Sequence, residues 1–312
     1  MIIDKELLGA DLKLCKLILN DIGAYVFVKD KNKKYIYANQ LTEELFKDCF
    51  DSVIGRTDDE LFDLVSSSNI KDNDDNVLKF GHCIKNTEIN IIKSTGEKRV
   101  YLSVKKPIYN TNQEIVGIFG VSTDITEIHT LQKELEVQAT TDSLTGLFNR
   151  RFFFKLAGQF LSESTRHNKP LSLIMLDIDL FKQINDKYGH PIGDVVLQFI
   201  ASQAKSLLRK EDVLARIGGE EFAILLPNTN INSAQLIAEK IRKFIDSQSI
   251  TGDWVGEIKP KLSIGVSSFA KGDSEFYQIY VRSDEALYQA KNTGKNKVCI
   301  IEKPEYFDGG GI

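Results

Sequence analysis

The chain has 312 residues, a formal net charge of −4, and 42% hydrophobic against 27% charged residues, the composition of a soluble globular protein long enough for two domains. The acidic balance argues against nucleic-acid binding through a general basic surface, and no stretch is apolar for long enough to span a membrane, so a cytoplasmic protein is expected. Cys15, Cys49, Cys83 and Cys299 lack CxxC spacing, and His82, His129, His167 and His190 are as scattered, so reduced thiols and no zinc site are expected.

Residues 1–20 interleave apolar residues with Lys5, Lys13 and Lys16, the pattern of an amphipathic helix rather than a signal peptide. Residues 24–29 read as a strand, 30–33 as a turn and 34–38 as the returning strand. Leu41, Leu45 and Phe46 lie at helical spacing, and residues 66–76, rich in Ser, Asn and Asp, read as a loop. Three more strands are expected at 88–93, 98–106 and 115–122, with turn signals at 94–97 and 110–113. Two strands, a helical middle and three strands make an antiparallel sheet with helices on one face.

That order, with the stretch from Phe27 to Asn39, Val53-Ile54-Gly55-Arg56-Thr57, and the closing stretch from Gly117 to Thr126, resembles a PAS sensor domain over residues 14–126. The resemblance implies a small-molecule or redox input, or dimerisation, and leaves the PAS ligand unknown. The cysteine-centred motif of flavin photosensors is missing. His82 is a candidate haem ligand, although a packed or exposed residue is the simpler reading.

From Asp124 the chain reads as a helix start, with Asp124 or Thr126 as cap. Ile128, Leu131 and Leu135, with Gln138 next in the series, form a narrow seam on a charged helix. It suits a short parallel coiled coil between two copies of the chain, or packing on its own domain.

In the second half, the near-continuous apolar run from Leu171 reads as a buried strand. It ends in Asp177 and Asp179, at i and i+2 and so on one face. A carboxylate at the end of a buried strand needs a cation or a partner. Farther on, residues 213–215 and 222–226 flank Gly218-Gly219 as a hairpin, with Glu220 and Glu221 at its tip beside backbone that has no side chains to block a ligand. Alone, this is equally a solvated turn. Beside Asp177 it makes a three-carboxylate cluster suited to Mg²⁺ or Mn²⁺ with bound phosphates, Asp179 being a structural or supporting group. Lys182 adds charge where the strand gives way to a helix, a ready anion site. Asn185 and Asp194 supply an amide and a carboxylate able to read a purine edge.

Asp177 to Asp194, Asp142 to Arg151, the Gly218-Gly219-Glu220-Glu221-Phe222 motif and the closing stretch from Ser283 to Asn296 are together similar to the GGDEF domain of diguanylate cyclases, across residues 139–303. The resemblance implies a palm-like fold and a homodimeric enzyme that condenses two GTP into cyclic di-GMP. It implies that Asp177, Glu220 and the Ile178 carbonyl hold the metal. Glu220 would accept a proton and Glu221 would be a second metal ligand, with the identity of the base left open. Asn185 and Asp194 would read guanine, His190 would line the site, and Lys182, Lys291 and Lys295 would contact phosphates. Lys295 stands where arginine is common. Arg209 and Asp212, the former nine residues before Gly218, match an inhibitory motif for product, with Lys240 where relatives carry a further arginine. A catalytically silent receptor for GTP or cyclic di-GMP, and a dimerisation scaffold, are the alternatives. The expected architecture is α+β: residues 1–126 a PAS sensor with its N-terminal helix, 127–141 a signalling helix, 142–303 the GGDEF domain and 304–312 a tail.

Overall fold

A computed structural model describes residues 5–67, 69–252 and 256–303, with side chains from residue 13 onward. The expected tail at 304–312 lies outside these described residues. The chain divides into two compact units between Glu134 and Leu135.

The first unit runs α1 (Lys5–Asp21), β1 (Tyr25–Asp30), β2 (Tyr35–Ala38), α2 (Gln40–Glu44), α3 (Asp58–Leu61), α4 (Ile70–Phe80), β3 (Ile84–Ile91), β4 (Lys98–Tyr109) and β5 (Ile115–Asp124). The five strands form one antiparallel sheet in the order β2-β1-β5-β4-β3. The core of this unit gathers Phe27, Tyr35, Phe46, Val53, Leu61, Phe62, Ile70 and Ile92. All five expected strands form, but the expected loop at 66–76 does not: α4 begins at Ile70. Its buried residues are Ile70, Asn73, Asp74 and Val77, a helical i, i+3, i+4, i+7 stripe. Half of that stripe is polar because its partners are buried charges, so apolar periodicity could not reveal it. His82 is exposed and stacks on Phe80, with ring centroids 5.8 Å apart, and it takes no part in lining the cavity inside this unit.

The next helix, α5 (Thr126–Thr140), starts where the Asp124 carboxylate accepts from Thr126 N at 2.9 Å. It buries none of its residues, and Ile128, Leu131 and Leu135 are all at least half exposed.

The second unit runs β6 (Phe148–Asn149), α6 (Arg150–His167), β7 (Leu171–Ile178), α7 (Phe181–Tyr188), α8 (His190–Ser206), β8 (Val213–Arg216), β9 (Glu221–Pro227), α9 (Ile231–Asp246), β10 (Leu262–Ser268), α10 (Phe276–Asn292) and β11 (Val298–Ile300). Its six-stranded sheet has the order β11-β10-β7-β9-β8-β6. Helices cover both faces, which is why β7 is buried throughout and mostly apolar. Ile174, Leu176 and Ile178 join the core with residues of α8 and α9, while Leu171, Leu173 and Met175 join the core with residues of α6 and α10. Asp177 shares the parity of the second set and so opens toward the α10 side.

Candidate active site

Three chain segments converge at the end of β7. Antiparallel pairing of β7 with β9 sets Asp177 directly opposite Glu221, and the β8–β9 hairpin brings Glu220 to the same end. The hairpin closes through Ile217 N and Gly218 N, which donate to the Glu221 carbonyl at 2.9 and 3.3 Å. From α10, Lys291 Nζ reaches Asp177 Oδ2 at 2.6 Å. Asp177 is 3% exposed. Burial pushes its carboxyl up to about 6; the Lys291 ammonium opposes this, and the charges on Glu220 and Glu221 add to the rise. Glu220 is raised for the same reasons, burial first, then Glu221, against the pull of Lys291.

This is an all-oxygen donor set with more negative charge than one lysine can offset, and its chemistry fits a hard divalent cation. It is not a ready-made cage: among the described residues no three His, Cys, Asp or Glu side chains gather closely enough to hold a metal ion. The two aspartates separate. Asp179 lies one residue beyond β7, its N–H donating to the Lys261 carbonyl at 2.9 Å. Its carboxylate accepts from Ser263 Oγ at 2.6 Å and Asn296 N at 2.8 Å. Asp179 therefore ties β10 and the loop after α10 to the site.

The hairpin glycines have different surroundings. A Cβ on Gly218 would stand 2.5 Å from Glu221 Oε2, whereas one on Gly219 would meet nothing within 4 Å. Neither residue has positive φ. Gly218 makes room for a carboxylate, and Gly219 leaves bare backbone facing open space.

The candidate base-reading residues sit on the α7–α8 pair. A Cβ on Gly193 would fall 1.9 Å from Asn185 Oδ1, so the small residue on α8 lets the Asn185 amide lie between the helices. That oxygen is buried without a hydrogen-bond partner, an acceptor in search of a donor. Asp194 and His190 are exposed on the first turns of α8, and Lys182 is exposed on the first turn of α7. No side chain caps α7, whose N-terminal flank at Leu180 is left-handed (φ 58°). Lys295 is exposed, with φ 60°.

Arg209 and Asp212 border a separate hollow of about 440 Å³ with Lys205, Lys210 and Phe148. There the Asp212 carboxylate accepts from Arg209 N at 2.9 Å, and the Arg209 side chain is exposed. Lys240 is likewise exposed on α9.

Sequence reasoning passed over Arg216. Its guanidinium donates to the Gly219 carbonyl at 2.7 and 3.1 Å and to Asp142 at 3.2 Å, so it fixes the hairpin tip to the loop before β6. Arg150 holds the neighbouring Ile217 carbonyl at 3.2 Å. The signal was available: an arginine two residues before paired glycines, with Asp142 the first residue of a second motif.

Fold and site together define a carboxylate-centred α+β domain that follows, in sequence, a domain built on a five-stranded antiparallel sheet. The chain belongs to the GGDEF diguanylate cyclases, a family of nucleotidyltransferases: residues 139–297 match the family described as diguanylate cyclase, GGDEF domain, and residues 19–130 match the PAS fold. A diguanylate cyclase of Vibrio cholerae serotype O1 is 41% identical over 298 residues, covering 93% of this chain and 90% of its own length. Diguanylate cyclase A of Treponema denticola is 41% identical over 170 residues, 54% of this chain, which thus spans 46% of that relative. The solved coiled coil and GGDEF domain of DgcB from Caulobacter crescentus, in complex with c-di-GMP, superimposes with a TM-score of 0.53 at 30% identity, covering 56% of this chain and 94% of that one.

Proposed function

We propose that the chain condenses two GTP molecules into cyclic di-GMP and two pyrophosphates. Each 3′-hydroxyl attacks the α-phosphate of the other nucleotide. Each attack forms one phosphodiester, breaks the bond to the β-phosphate oxygen, and gives up the hydroxyl proton to a carboxylate, Glu220 on this reading. The observation that carries the proposal is the meeting of Asp177, Glu220, Glu221 and Lys291 at one strand end. Asp177, the Ile178 carbonyl, Glu220 and Glu221 would hold Mg²⁺ or Mn²⁺, which when bound lowers the hydroxyl pKa and neutralises charge on the leaving group.

Asn185 accepts from guanine N–H groups, the exposed Asp194 carboxylate does the same, and His190 lines the same end. Lys182, Lys291 and Lys295 contact the phosphates. A carboxylate at Asp194 repels the acceptor that adenine presents there, so GTP is favoured over ATP. Product inhibition follows from Arg209 and Asp212 beside a basic hollow able to take a phosphate or guanine edge. One GTP site per domain requires two domains face to face. The uncovered Ile128-Leu131-Leu135 seam of α5 supports a homodimer, with the PAS domain acting through that helix. Domain limits at 126, 141 and 303 complete the proposal. Among the described residues no helix is long and apolar enough to cross a membrane.

The test is incubation of the purified full chain with GTP and Mg²⁺, followed by chromatography of the nucleotides. Cyclic di-GMP is expected from the wild type and not from Glu220→Gln. A folded, dimeric sample that leaves GTP unconverted removes the enzyme reading.

A further inference from the structure

The segment that carries Lys295 bends back sharply after α10. Gly294, Lys295 and Asn296 have positive φ in succession, at 117°, 60° and 44°. Such a run is easy for glycine and tolerable for asparagine, but it strains a lysine, whose Cβ crowds its own backbone. A conformation of that kind persists only where its surroundings over-determine it.

The surroundings here do so from three sides. Lys295 N donates to the Ala290 carbonyl at 3.0 Å, closing the end of α10. Asn296 N donates to Asp179 Oδ2 at 2.8 Å, and Asp179 Oδ1 accepts from Ser263 Oγ at 2.6 Å, which joins the backbone at 296 to the end of β7 and to β10. The Asn296 side chain is claimed from α9, where Arg242 Nη1 donates to Asn296 Oδ1 at 2.9 Å across 54 residues of sequence. Arg242 is itself aimed. Its Nε and Nη2 both donate to Glu239 Oε2 at 3.1 Å, and Asp246 Oδ2 lies 3.9 Å from Nη1. A guanidinium held at two nitrogens presents the third in a fixed direction, which a lysine ammonium cannot do. The backbone on both sides of Lys295 is thus pinned, while Lys295 itself stays exposed.

We propose that Arg242 is a positioning residue for the nucleotide phosphates. Through the Asn296 side chain it holds the 294–296 turn in place, and with it the Lys295 ammonium that meets a phosphate of GTP. The proposal rests on the cyclase reading, in which Lys295 is a phosphate contact. Direct attraction of the triphosphate is not the role of Arg242, because Glu239 and Asp246 already offset its charge.

The experiment titrates the full chain, in a calorimeter with Mg²⁺ present, with a GTP analogue whose α,β-bridge is methylene and separately with guanosine. The proteins are wild type, Lys295→Ala, Arg242→Gln and the double variant. Each single variant is expected to weaken the analogue by about tenfold and to leave guanosine within about twofold of wild type. The double variant is expected to bind the analogue within about twofold of Lys295→Ala alone, because a residue that acts through Lys295 then has nothing left to position. Arg242→Lys keeps the charge without the fork and is expected to lose as much as Arg242→Gln, which keeps the test decisive if the glutamine variant fails to fold. Additive losses in the double variant, equal weakening of guanosine, or wild-type affinity in Arg242→Lys would each overturn the positioning role and leave the nucleotide site standing. Unchanged analogue affinity in Lys295→Ala would overturn it by removing the phosphate contact beneath it. A wild-type protein that does not bind the analogue would remove the cyclase reading itself, and the proposal with it.

Discussion

Lys291 Nζ rests 2.6 Å from Asp177 Oδ2, so in the free protein the proposed phosphate-binding lysine is spent on the proposed metal-binding aspartate. The pair explains how a fully buried strand tolerates a charged residue at 3% exposure. Lys291→Met should therefore have two separable effects. The free protein loses about 1–3 kcal/mol, the ordinary cost of removing a hydrogen bond to a charged group. Added Mg²⁺ then raises the unfolding midpoint more than it does for wild type, because the carboxylates have lost the ammonium that offsets them. Cyclic di-GMP formation falls by about tenfold or more. Thermal unfolding with and without Mg²⁺, beside a turnover assay, measures all three. A Mg²⁺ response no larger than that of wild type would show that Lys291 does not stand in for the metal.

Product inhibition gives a prediction at a different place on the domain. The Asp212 carboxylate engages the backbone N–H of Arg209, which leaves the guanidinium exposed at the edge of the hollow. Arg209→Ala should leave initial turnover near wild type while progress curves lose their product-dependent slowing. Loss of one bidentate contact corresponds to about a tenfold rise in the inhibition constant. Progress curves in added cyclic di-GMP read this directly, and equal curves for both proteins remove the site.

How much of this was legible in the chain depends on whether a residue's partners carry a local signal. The β8–β9 hairpin and the Asp177 strand were readable because apolar runs and paired glycines mark them. The opposition of Asp177 and Glu221 across β7 and β9 was foreseeable as an adjacency but not as a register, which only strand pairing sets. Helix α4 was misread because Asn73 and Asp74 occupy its buried face, and the groups that justify them are far off in sequence: Glu88 accepts from Asn73, 15 residues away, and Lys29 and Lys105 donate to Asp74 from 45 and 31 residues away. Arg216 was missed for a partly related reason: the paired glycines beside it were a local signal, but its side-chain acceptor, Asp142, is 74 residues distant. Long-range polar pairing leaves no periodic trace.

The same α4 network makes the first unit sensitive to acid. Asp74 is fully buried and its carboxyl is held well below the ordinary value of 3.8 by Lys29 and Lys105, against the opposing push of burial. A group depressed on folding contributes stability that is complete above its unfolded pKa and is lost as pH falls toward the folded value. Unfolding of the first unit should therefore become easier on descending from about pH 5. Asp74→Asn should lower stability by about 3–5 kcal/mol at neutral pH, because two buried ammonium groups lose a shared partner, and should flatten that acid dependence. Denaturant titrations at pH 7 and pH 4 on both proteins test the sign and the size together.

The two hairpin glycines offer the sharpest separation of scaffold from substrate contact. Alanine at 218 must displace the Glu221 carboxylate, which would stand 2.5 Å from the new Cβ. Gly218→Ala is therefore expected to lower kcat, with the proposed metal ligand moved and the fold retained. Alanine at 219 meets nothing within 4 Å and needs no positive φ. Gly219→Ala should change the stability of the free protein by no more than about 0.5 kcal/mol. If nucleotide approaches the bare backbone of the tip, the added methyl is felt only by the ligand, and KM for GTP rises by about tenfold with kcat changed less. A Gly219→Ala enzyme with wild-type KM would place the nucleotide away from that backbone and leave Gly218, through Glu221, as the glycine that the chemistry requires.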